Sequence, residues 1–192
     1  GLQSTTATVS SLTITGFGGT ASEVIVQRSI GGAADAYVSI WKIVAPTANT
    51  AGTVQGNFSA SVPYQMTVET WSNAHQTDPS PVADAQSNGS STTPQTLTPT
   101  NLTASDASSG SEANTAAQDL TAVSPTSDYL ENTTAVNLGS GHATGTTGVT
   151  FASAGGLAYT KAAVRIVVAA AGGAATWGPL LGLANNRLIV NT

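Results

Sequence analysis

Two histidines, ten carboxylates and no cysteine are all that this chain of 192 residues offers to catalysis or to a metal. His75 precedes Asp78 by three residues in Asn73-Ala74-His75-Gln76-Thr77-Asp78, a spacing that can present two ligands from one turn. A structural zinc takes about four ligands and a catalytic one about three plus water. With His142 the only other imidazole and no thiolate present, the segment reads as a turn histidine, and neither a metal nor another cofactor is expected. Serine is abundant, but no G-x-S-x-G elbow marks a nucleophile and neither histidine stands in a recognisable catalytic frame. A glycosidase needs two acids roughly 5–9.5 Å apart across a cleft. Asp35 and Glu69 are the acids beside aromatic strands, and Glu69 is expected to face solvent or to cap an interface. No catalytic residue is assigned on this basis, and the chain reads as a non-enzyme.

Tyr37, Trp41, Tyr64 and Trp71 could stack on a sugar, since planar aromatics on a sheet face serve either a core or a ligand. Alternation along residues 37–44 (YVSIWKIV) puts Trp41 on one face with Tyr37, Ser39 and Ile43, which reads as core. A carbohydrate-binding or adhesin-like module is the alternative. Asn57, Asn88, Asn101 and Asn132 each open an N-x-S/T sequence, a pattern that chance supplies in a chain so rich in Ser and Thr.

The net charge is −5, and Arg28, Lys42, Lys161, Arg165 and Arg187 are too scattered for a phosphate-binding patch, so nucleic acid is not expected as a partner. The longest apolar stretch, 162–175, is broken by Arg165 and Gly172-Gly173 and falls short of the ~20 residues of a spanning helix, so no membrane partner is expected. Gly1-Leu2-Gln3 shows neither the basic start nor the apolar run of an export leader, and the lack of cysteine leaves the compartment open. Charged residues make up only 8% of the chain, against about 25–35% on an ordinary soluble surface. A surface so poor in charge is suited to being covered by neighbours.

The elements that must carry these residues are strands. Period-two alternation predicts strands at 5–15, 22–29, 37–44, 53–61 and 64–71, with a further one near 91–97 after a Pro- and Ser-rich crossover at 78–99. The second half predicts strands at 116–123, 130–138, 148–154 and 159–169, and no window carries a helical period. This is the pattern of an all-β, antiparallel β-sandwich of jelly-roll type, one domain over 1–170, with its core drawn from Val38, Ile40, Trp41, Ile43, Phe58, Met66, Val68, Trp71, Val164, Ile166 and Val168. Residues 171–192 form a tail or arm. Trp177, Leu180, Leu181, Leu183, Leu188, Ile189 and Val190 follow the closing strand with no evident pairing partner, so an assembly role is expected of them.

Residues 39–85 resemble the β-sandwich domain of structural and tail-associated proteins of tailed bacteriophages. The matching pieces are Ile40-Trp41, Val44, Pro46-Thr47, Val54, Phe58-Ser59, Met66-Thr67-Val68, Asn73-Ala74, Asp78-Pro79 and Asp84-Ala85. Residues 141–156 are similar to the family's late turn and strand and 162–169 to its closing strand, whereas the tail after Ala170 departs from the pattern. None of these motifs carries chemistry. The resemblance implies a virion scaffold, assembled in the host cytoplasm, most naturally a capsid-decorating or cementing protein and otherwise a tail or fibre component. Its partners would be copies of itself, as a homotrimer, and other virion proteins such as a major capsid protein.

Overall fold

Thr, Val and Ile alternate with small polar residues along much of the chain, and the backbone answers with strands: the computed structural model contains no helix among the residues it describes. These are residues 2–3, 7–16, 18–28, 36–44, 51–75, 78–81, 83–88, 94–115, 119–133, 135–153, 159–169, 176–178, 183–184 and 187–190. The first half contributes β1 (Leu2–Gln3), β2 (Val9–Thr15), β3 (Thr20–Arg28), β4 (Ala36–Val44), β5 (Gly52–Phe58) and β6 (Thr70–Ser72). There follow β7 (Ala83–Asn88), β8 (Gln95–Leu97), β9 (Ala107–Thr115), β10 (Leu120–Ser124), β11 (Thr126–Glu131), β12 (Val136–Thr144), β13 (Val149–Ser153) and β14 (Tyr159–Ile166). The tail adds β15 (Thr176–Gly178), β16 (Leu183–Ala184) and β17 (Arg187–Val190).

A five-stranded sheet of order β11-β12-β9-β14-β7, antiparallel throughout, lies at the centre. Both of its faces are covered. On one, Ala113, Leu138 and Ala162 meet Val38 and Ile40, and Ala107, Val164 and Ile166 meet Val24 and Ile25, so the sheet β1-β4-β3 shares its core. On the other, Ala143 packs with Val123, Val149 and Phe151 of the sheet β10-β13-β8. Covering both faces accounts for the unbroken burial along β12 and β14, since a strand buried on two sides has no solvent-facing register.

Small residues let the second layer approach. A Cβ added at Gly141 would stand 2.5 Å from a Val123 methyl and 2.3 Å from the Thr126 carbonyl oxygen, and one at Gly139 would stand 2.9 Å from Val123. Asn132 ties the layers at their rim, its amide accepting from the Leu120 N–H at 2.9 Å and donating to the Leu120 carbonyl at 3.1 Å.

A separate sheet of order β16-β17-β5-β2 gathers Leu12, Ile14, Ile43, Met66 and Val68 around buried Val54. Of the expected core, Val38, Val164 and Ile166 are fully buried, whereas Ile40, Trp41, Ile43, Phe58, Met66, Val68, Trp71 and Val168 are partly so. The strand expected over 64–71 reduces to a single bridging residue at Tyr64 and the short β6, and that expected over 130–138 divides into β11 and β12 around Asn132 and Thr133. Strands β7 and β9 were not anticipated by alternation at all.

Candidate functional site

The tail, the edges it meets and the cavity behind them form one region. β5 has a free edge because β4 turns away to pair with β1 and β3. Strand β17 fills that edge, with Leu188, Ile189 and Val190 in register with Val54, Thr53 and Gly52, and Leu183 in β16 pairs back on Leu188. Trp177 in β15 stands opposite Trp71 in β6. Leu180 and Leu181 lie outside the described residues. In one chain, the pairing partners that alternation does not reveal for the tail are thus the edges of its own β5 and β6.

Behind these edges lies a cavity of about 580 Å³ between β4, β5 and the segment 64–75. Tyr37, Trp41, Tyr64 and Trp71, the four aromatics that could stack on a sugar, all line it. The remaining wall is largely branched aliphatic, with Val54, Leu138, Val164 and Ile166 among it, and Glu69 and Ser109 supply polar groups.

Glu69 does not face solvent; its side chain is turned inward, which corrects the expectation from sequence. The strand that would have alternated it outward does not form, since the backbone joins a ladder only at Thr70. Its Oε2 accepts from the Ser109 hydroxyl at 2.6 Å. Burial pushes its pKa up to about 8, and the charge of nearby Asp128 adds to this, while hydrogen bonds from Ser109 and Trp71 oppose it. Asp128 is also raised by burial, and its hydrogen bond and charge interaction with His142 offset part of the rise. His142 Nδ1 lies 2.8 Å from both Asp128 oxygens, and the Trp71 ring meets the imidazole edge-on at 5.6 Å.

In the β9–β12 ladder His142 stands directly opposite Ser109, so serine, histidine and aspartate come together on one face. The hydroxyl donates to Glu69, however, and is thereby held as a structural donor instead of being activated by the imidazole. Glu69 and Asp128 touch through a hydrogen bond, too close to flank a glycosidic oxygen and a water. The arrangement stores a proton between two carboxyl groups. His75 is elsewhere, its Nδ1 accepting from the Asp78 amide at 3.1 Å, while the Asp78 carboxylate pairs with Lys42 at 2.5 Å. Among the described residues no group of three or more His, Cys, Asp or Glu side chains could hold a metal ion.

The opposite face of the central sheet holds a second buried polar group. Lys161 Nζ lies 3.2 Å from Glu112 Oε2, with the two side chains 2% and 0% exposed. Ser153 donates to Glu112 Oε1 at 2.7 Å, and the ammonium lies 4.3 Å from the centre of the Tyr159 ring. Burial pushes Glu112 up and Lys161 down, and in each case the partner's charge opposes the shift. At the sheet's end Arg165 pairs with Asp106 at 2.8 Å. Burial would raise the Asp106 carboxyl, but the hydroxyl and amide of Thr103 and the Arg165 guanidinium together hold it below the usual range.

Compared with known proteins, the chain matches no family model, no curated protein and no solved structure.

Proposed function

We propose that this chain is a non-enzymatic structural protein of a bacteriophage particle, a capsid-decorating or cementing component that assembles through its sandwich edges and C-terminal segment. The observation that carries the reading is where its charges lie. Asp106, Glu112, Asp128 and Lys161 have buried side chains, so at most eleven of fifteen charged residues serve a surface of 8593 Å². A face of hydroxyl, amide and backbone groups loses little on being covered, because few ions must be desolvated. Strand order supports a jelly roll: from β7 onward the chain runs β7-β14-β9-β12 in one layer and β8-β13-β10 in the next. That architecture recurs in viral capsid domains, and in lectins as well, so it supports the virion setting without fixing it.

The tail supplies the route to assembly. A hairpin that joins a neighbour's β5 edge would make the same backbone pairs as it makes in cis, and exchange around a ring closes a homo-oligomer, with a trimer suited to three-fold positions of a shell. Light scattering of the full chain in dilute buffer is expected to give a trimer, and co-sedimentation to place it on capsids. Truncation after Ala171 is expected to give a folded monomer that no longer sediments with them. A truncated chain that still assembles and decorates would overturn the role of the tail.

A carbohydrate-binding module is the second reading, favoured by the convergence of Tyr37, Trp41, Tyr64 and Trp71 on one cavity. It requires saturable quenching of tryptophan fluorescence by a glycan, lost in Trp71→Ala.

A further inference from the structure

We propose that Glu69, Asp128, His142 and Trp71 form a proton-held clasp that fastens β6, and with it the docked tail strand β15, to the central sheet. This rests on the reading of the tail as the assembly segment and names how that segment would be controlled.

The segment leading into β6 has little else to hold it. Residues 61–69 make no ladder, apart from one bridging position at Tyr64. Beyond β6 the chain is anchored again, by the Ala74–Val168 bridge, by the His75 amide on the Val167 carbonyl and by the Ala169 amide on the Asn73 carbonyl, the last two at 2.8 Å. Between a loose approach and a fixed exit, β6 is positioned by what Glu69 and Trp71 grip. Glu69 takes the Ser109 hydroxyl at 2.6 Å, and Trp71 hydrogen-bonds Glu69 while its ring abuts His142. The same Trp71 is the register partner of Trp177, so the grip and the tail meet at one residue.

The groups that face the clasp are these. Strand β11 brings Asp128 and β12 brings His142, while β9 brings Ser109. Tyr37 and Lys42 from β4, with Tyr64 and His75, line the same cavity, and Lys42 is tied to Asp78. Strand β14 contributes Val164 and Ile166, and β3 contributes Val24. The charge acting on Glu69 is therefore that of another acid, and only one proton on the pair keeps a hydrogen bond where two carboxylates would repel. Burial that holds Glu69 protonated to about pH 8 supports the same picture. When Glu69 releases its proton to solvent, the hydrogen bond to Asp128 is lost, β6 loosens on its fixed exit, and the tail strand loses its platform.

Hydrogen exchange of the full chain, corrected for intrinsic rates, tests this between pH 6 and 9.5. Protection of residues 70–72 and 176–178 is expected to fall at least tenfold with a midpoint near 8, while β9 and β14 stay protected. In Glu69→Gln, which keeps a neutral hydrogen-bonding group, protection is expected to remain level. Asp128→Asn is expected to move the midpoint down, because it removes the like charge. Level protection in the native chain, an unchanged midpoint in Asp128→Asn, or an equal fall in Glu69→Gln would overturn the clasp. Failure of the tail reading is separate: it would appear as normal assembly of the truncated chain at one pH, with no bearing on whether β6 loosens.

Discussion

The two faces of the central sheet bury ionisable groups in opposite ways. Toward β10-β13-β8, an acid faces a base, and Glu112 and Lys161 complete each other with Ser153 and the Tyr159 ring closing the shell. Toward β6, an acid faces an acid, and Glu69 and Asp128 are compatible only while one of them carries a proton. The first arrangement is complete in itself and resists change near neutral pH. The second depends on proton activity, and it lies beneath the edge on which the tail docks. A buried pair of opposite sign makes a fixed point; a pair of like sign makes an adjustable one.

Breaking the fixed point is expected to have the largest effect. Lys161→Met leaves Glu112 buried without its counter-charge and should cost about 3–5 kcal/mol in urea denaturation. Combining it with Glu112→Leu should recover most of that loss, because a well-packed apolar pair of similar volume is roughly neutral against a buried ion pair. A double variant as damaged as the single one would show that the pair does more than neutralise itself.

Next in size comes the close contact that lets the outer layer reach the sheet. Gly141→Ala forces a methyl against Thr126 and Val123 and should cost about 1–3 kcal/mol. The equivalent change at Gly145, whose nearest neighbour is 3.8 Å away, meets no such wall and is penalised only through its φ of 71°.

How far these contacts are legible in the sequence depends on how many faces of a strand are covered. Residues 37–44 alternate visibly, and β4 forms there. The middle strand of the central sheet, β9, reads ASSGSEANT, with no apolar alternation; yet Ala107, Ser108, Glu112, Ala113 and Asn114 are all buried. Small residues are required because layers press on both of its faces, and that removes the solvent-facing set on which alternation depends. The clasp is illegible for another reason. Glu69, Ser109, Asp128 and His142 come from β6's approach and three different strands, and only the β9–β12 and β11–β12 registers bring them together. Likewise β5 is legible as a strand, but its free edge follows from the partners β4 takes.

The adjustable point predicts a pH dependence whose sign is fixed. Folded Glu69 keeps its proton to about pH 8, whereas an unfolded chain releases it near the ordinary 4.5, so between these values the folded state binds more protons. Stability should therefore fall as pH rises through this window and level off above it, by at most about 1.4 kcal/mol per pH unit. Glu69→Gln should flatten that limb. Asp106 acts in the opposite sense: its lowered carboxyl supplies stability that is lost as pH falls below its ordinary 3.8. Melting temperatures of the native chain are thus expected to peak between the two limbs, and a profile that rises steadily toward pH 9 would remove Glu69 from the account.

The smallest effect concerns how the two layers are closed at their rim, away from either buried pair. Asn132 imitates a strand partner for Leu120, accepting its amide hydrogen and donating to its carbonyl, at the point where β11 has left β10 to join the central sheet. Asn132→Ala removes both bonds, but the site is solvent-accessible, so water can replace them and the loss should be about 0.5–1.5 kcal/mol. Asn132→Asp separates the two roles, since a carboxylate can accept from the Leu120 amide but cannot donate to its carbonyl. The aspartate variant should therefore fall between the native chain and alanine, with hydrogen exchange at Leu120 slower than in the alanine variant. If both substitutions leave that exchange unchanged, the rim is held by Leu120 and Val123 packing alone, and the closure of this face owes nothing to Asn132.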